Sequence, residues 1–164
     1  MYYRANENTF CSMLERAPVA AAVIRGSEDG DEINGTVKFY ELTGGVLVVA
    51  DILGVPVSEE ESKTGIFAFH IHNGTECSGN SEDPFANSGA HYDTKDRTHP
   101  YHAGDMPPLF SAGGRAFLAF LTDRFTVNEI IGKAVIIHAG PDDFTTQPSG
   151  SSGKKIACGI ISKL

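Results

Sequence analysis

The stretch "FAFHIHNG", Phe67–Gly74, sets two histidines one residue apart inside an apolar run. In a β-strand alternate side chains share a face, so His70 and His72 would stand side by side. Burying two unpartnered imidazoles on one face is costly. Either both point to solvent, or something binds both.

Alternation and β-branched content extend this reading to the rest of the chain. Strands are expected at 18–26, 34–42, 45–55, 64–72, 113–123, 133–139 and 155–163, separated by turn-forming clusters such as "GSEDGDEING" and "TGG". Apart from one turn of helix in "SMLERA", there is no 3.6-residue periodicity, and no repeat or heptad is present. The pattern reads as an all-β barrel or sandwich. Two segments interrupt it. One runs from Cys77 to Leu109 without an element of its own; the other is the polar loop 140–154. Loops as long as the first are usually functional or disordered.

The length of 164 residues suits one domain, expected over 17–164 behind an N-terminal extension, 1–16. Eighteen glycines and eight prolines fit many turns between short elements. No window approaches the ~18 apolar residues of a membrane span. The net charge of −8 argues against a nucleic-acid partner, which needs clustered Lys and Arg. It does not exclude a small anion, because a local field can oppose the net charge. The first residues make a poor secretory signal, so the expected address is cytoplasmic, or extracytoplasmic if a leader has been removed. Three cysteines, Cys11, Cys77 and Cys158, leave one over if the other two pair.

All six histidines fall in three places: His70 and His72 at a strand end, His91, His99 and His102 in the long loop, and His138 closing "KAVIIHA". Imidazole is the commonest metal ligand near neutral pH. His99, His102 and Asp105 recur at intervals of three. With a third imidazole they complete a tetrahedral shell suited to zinc. His70, His72 and His138 with one more histidine make an all-imidazole site, which favours copper, zinc or nickel. If His91 serves both sets each has four ligands, and a deprotonated imidazole has two nitrogens with which to do so.

The residues resemble the copper/zinc superoxide dismutase family of bacterial type. "FHIHNG", "GAHYD", "HPYHAGDMPPL", "VIIHAGPDDF" and "SGKKIACGII" each match one of its ordered motifs, and coverage runs from about Ala17 to the end. The resemblance implies a Greek-key β-barrel of about eight antiparallel strands with two long metal-site loops. It implies copper on His70, His72, His91 and His138, and zinc on His91, His99, His102 and Asp105. His91 would bridge the two metals. Asp142 would hold ligands of both sites, and Cys77 and Cys158 would form a disulfide, leaving Cys11 as a free thiol.

The activity implied is disproportionation of superoxide anion by Cu(II)/Cu(I) cycling, with His91 giving a proton. Family members occur as homodimers and as monomers. One departure stands out. The family generally has Arg where this chain has Lys155, a residue that guides the anion. Lysine keeps the charge without the planar fork, so retained but reduced activity is expected. Two rivals are a copper/zinc-binding module on the same fold with little or no dismutase activity, and a zinc hydrolase. The hydrolase is disfavoured because no extra acid or base is evident near the histidines.

Overall fold

In a computed structural model the described residues are 16–27, 32–57 and 65–164. Cys11 and most of the helical turn expected in "SMLERA" lie outside them. Nine antiparallel strands form one sheet: β1 Ala20–Gly26, β2 Asn34–Leu42, β3 Gly45–Leu53, β4 Ile66–Phe67, β5 Phe69–His72, β6 Leu109–Ala112, β7 Arg115–Thr122, β8 Ala134–His138 and β9 Lys155–Lys163. Their order is β4-β6-β7-β3-β2-β1-β9-β8-β5. The first and last strands of that order are separated in the chain by Ala68 alone, so the sheet must curl until its two edges nearly meet. The result is a barrel.

The path from β3 to β4 skips two strands, and β7 then returns to lie beside β3, which is a Greek-key connection. The run expected as one strand, 64–72, is divided at Ala68, where the chain changes neighbours. Before it, Phe67 pairs with Leu109; after it, Phe69 pairs with Ile137. Counted as one interrupted strand, β4 and β5 bring the total to eight.

Alternation explains which side chains fill the barrel. Val37 and Phe39 of β2, Val46, Val48, Ala50 and Ile52 of β3, Phe69 and Ile71 of β5, and Val135 and Ile137 of β8 belong to one buried core. The residues between them on β5 and β8 face outward. Ala134 and Ile136 of that outer wall pack with Phe85 and Cys158 in a second, smaller cluster. This cluster and the Cys77–Cys158 disulfide root the long loop on the outside of the barrel.

The remaining edge of β5 is sealed by the same loop. Ile71 N–H donates to Gly104 O at 2.9 Å, and Tyr92 N–H donates to Ile71 O at 2.8 Å. A side chain at Gly104 would collide with the Ile71 carbonyl, so glycine is what allows this approach. Local bridges pair His70 with Asp105 and His72 with His91.

Three short elements were not foreseen. β6 is only four residues long, and Ala86–Ser88 forms a single 3₁₀ turn within the loop. Helix α1, Val127–Ile130, starts from a capping box between Thr126 and Glu129 and buries Val127 and Ile130.

Candidate metal centre

Five of the six histidines are buried, and His102 is half-buried. None of the strand histidines faces open solvent. His70 and His72 leave β5 on its outer face, and His138 leaves the end of β8 beside them. The long loop carries His91, His99, His102 and Asp105 over the same wall. Two groups result, His70–His72–His91–His138 and His91–His99–His102–Asp105. Within each, one nitrogen or oxygen per residue lies within 4.8 Å of all the others. His91 belongs to both.

The hydrogen bonds decide which nitrogens are free. A carbonyl or carboxylate oxygen can only accept, so an imidazole nitrogen bonded to one carries the proton. His72 Nδ1 donates to Gly89 O at 2.7 Å, and His138 Nδ1 donates to Gly153 O at 3.2 Å. Both Nε2 atoms are then bare lone pairs, and they face each other at 3.3 Å. Two lone pairs at that distance repel unless a cation lies between or beside them.

His70 and His99 tell the same story. Each donates from Nε2 to Asp142, at 2.8 Å, one to each carboxylate oxygen. Their Nδ1 atoms are buried without a hydrogen-bond partner, and so is Nε2 of His91. Unsatisfied buried nitrogens are costly. A metal ion in each group would satisfy all three. In the second group Asp105 is the hub, 2.7 Å from His91 Nδ1, 3.2 Å from His99 Nδ1 and 3.1 Å from His102 Nδ1. The donor sets, four imidazoles in one and three imidazoles with a carboxylate in the other, suit copper and zinc.

Electrostatics prepares the donors. Burial pushes the imidazoles of His70 and His72 below their ordinary pKa, the latter far below. For His138, burial and the neighbouring His70 ring bring it down to about 3. Neutral imidazole is the form that binds metal. Burial alone would raise the carboxyl of Asp142, but hydrogen bonds from His70, Phe144 N–H and His99 outweigh it and bring it down to about 2. Asp105 is lowered by the same contest, with the His91 hydrogen bond first among the opposing effects.

The loop 139–154 reaches this site because Gly150 has φ +70°, and a Cβ there would collide with Asp142 Oδ1 and lie 2.7 Å from His99 Nε2. Lys155 begins β9. A bulge between Ile137 and His138 sets it opposite His138 in the ladder. Its ammonium is held by Asp83 Oδ2 at 2.9 Å and by the Phe85 carbonyl at 3.1 Å.

The carbonyls of Gly89 and Gly153, the small residue at Gly150 and the counter-ion Asp83 were not among the site residues read from the sequence. A carbonyl carries no residue identity, and "SEDPF" gives no sign that its aspartate meets a lysine 72 positions away.

A Greek-key barrel bearing on its outer wall two ligand groups that share one imidazole defines a histidine-rich two-metal protein. The family profile described as copper/zinc superoxide dismutase matches residues 33–161. The chain is 32% identical to "Superoxide dismutase [Cu-Zn] 2" of Aquifex aeolicus, over 79% of this chain and 80% of that protein. It is 31% identical to the "Superoxide dismutase [Cu-Zn]" of Legionella pneumophila, over 77% and 76%. With that of Photobacterium leiognathi it shares 37% identity over 59% and 64%. The chain belongs to the copper/zinc superoxide dismutase family.

Proposed function

We propose that this protein is a superoxide dismutase, turning two superoxide anions and two protons into dioxygen and hydrogen peroxide. His70, His72, His91 and His138 would hold copper; His91, His99, His102 and Asp105 would hold zinc. The observation that carries this reading is His91, whose Nδ1 meets Asp105 in one group while its bare Nε2 turns into the other.

When bound, copper supplies the electron acceptor and donor by alternating between Cu(II) and Cu(I), and zinc supplies a fixed positive charge. The chain's own residues do the rest. His91 is placed to take a proton at Nε2 and release it there to the departing peroxide, while the second group holds its Nδ1 side. Asp142 orients His70 and His99 together, so one carboxylate sets a ring in each group. The Gly89 and Gly153 carbonyls fix the tautomers of His72 and His138. His138 is 4% and His91 7% exposed, so the species that reaches the first group would have to be small. Lys155 supplies attracting charge beside His138. Its pairing with Asp83 fixes its place and offsets part of that charge, consistent with activity below that of an arginine-bearing site.

The test is pulse radiolysis of superoxide decay with copper- and zinc-loaded protein and with His138→Ala. A fast metal-dependent rate that disappears in the variant is the expected result. Equal rates would refute the reading.

A further inference from the structure

We propose that Arg124, a residue of the barrel outside both ligand groups, positions the segment His99–Asp105 and thereby sets the affinity of the second group for its metal. This rests on the assignment of zinc to that group. Arg124 lies between β7 and α1, far from the ligands in sequence. Its Nη1 nevertheless sits 3.0 Å from the Pro100 carbonyl, 3.3 Å from that of His102 and 3.2 Å from that of Asp105. Two of these carbonyls belong to residues of the ligand group, and the third to the residue after His99.

One nitrogen thus gathers the backbone of a whole turn. Nη1 has two hydrogens for three acceptors, so at least one is shared, and the guanidinium charge strengthens each contact. Where a carbonyl points fixes the peptide plane next to it, and so the direction in which the neighbouring Cα–Cβ bond leaves the chain. Holding three carbonyls on one point therefore constrains how His99, His102 and Asp105 converge.

The anchor itself is rigid. Arg124 N–H donates to Thr122 Oγ1 at 3.2 Å, and the next residue, Phe125, is buried in the barrel core with its ring edge-on to Phe39 at 6.5 Å. On its other side the turn is gripped by Gln147, which accepts from His99 N–H at 3.0 Å and donates to His99 O at 2.7 Å. Within this segment Gln147 hydrogen-bonds His99 and not the His102–Asp105 end. Arg124 ties the His102–Asp105 end to the barrel through the carbonyls of His102 and Asp105, beside the Ile71 N–H that holds the Gly104 carbonyl. The arginine hydrogen-bonds the backbone of these residues and none of the ligand side chains, so it is a positioning residue.

The experiment is competition for zinc by a chromophoric chelator, run on copper-loaded wild type, Arg124→Met and Arg124→Lys, with copper affinity measured in parallel. Removing an outer partner of metal ligands typically weakens binding by about 10-fold or more. Arg124→Met should lose about that factor for zinc and less than about twofold for copper, and Arg124→Lys, which keeps a charge and three donors, should fall between. The proposal is overturned by zinc affinity in Arg124→Met equal to wild type, or by equal losses for both metals, which would mean general loosening. If Arg124→Met does not fold, zinc affinity in Arg124→Lys indistinguishable from wild type overturns it as well. Should wild type itself bind no zinc, the assignment of the metal fails instead.

Discussion

Ile137 and His138 are neighbours in β8, and they face opposite sides of the barrel wall. Inward, Ile137 joins a continuous apolar core with Phe69, Ile71 and Val135, where every surface is matched by another of the same kind. Outward, His138 joins His70 and His72 under two loops, where bare imidazole nitrogens face one another. The inner face is complete as protein. The outer face, though equally buried, becomes favourable only with cations in it. One strand therefore carries both the main source of stability and a standing electrostatic cost.

Metal removal should break this comparison most strongly. Ions that bind only the folded state add about 4 kcal/mol when present at a thousandfold their dissociation constant. Calorimetry of metal-loaded and chelator-treated protein should show the melting temperature fall on stripping and recover on reloading. No shift would mean that the outer face is satisfied without ions.

Ile137→Ala against His138→Ala separates the two faces in the stripped protein. The first deletes core contacts and should cost about 2–5 kcal/mol by urea unfolding. The second removes one side of the Nε2–Nε2 repulsion and should cost far less, while abolishing tight copper binding. Similar losses for both would contradict the division drawn between inside and outside.

Between pH 7.5 and 5.5 acid should act on the outer face first, and by a smaller amount. In the stripped folded protein His138 takes a proton only near pH 3, whereas in the unfolded chain it does so near its ordinary value of about 6.5. The unfolded state thus binds more protons across that window, and stability falls as pH drops from about 6.5 toward 3. The slope is up to about 1.4 kcal/mol per pH unit for this group. Asp142, lowered to about 2, adds to the loss below about pH 4. Urea midpoints of stripped protein at pH 7.5 and 5.5 test this, and a flat profile would count against it.

The strands were legible because their alternation is the barrel's inside and outside written residue by residue. "NGTVKFYEL" reads at once as β2, with Val37 and Phe39 turned in. β6 was not legible: "LFSA" is four residues, and Phe110 points to solvent, so no alternation has room to show. The "TVNE" capping box marks the start of α1, yet a helix of four residues leaves no periodic stripe.

By itself the sequence determined the β class of the fold and the inventory of metal donors. Both depend on residue type and local spacing: apolar alternation for the one, six histidines in three short runs for the other. Only the tertiary structure decided which nitrogen of each ring is bare, because that depends on the carbonyls of Gly89 and Gly153 and the carboxylate of Asp142 arriving from distant loops. The grip of Arg124 on three carbonyls and the pairing of Lys155 with Asp83 were settled the same way. Contacts to backbone, and between charges far apart in the chain, have no local signature; closure of the barrel and the folding of its loops bring them into being.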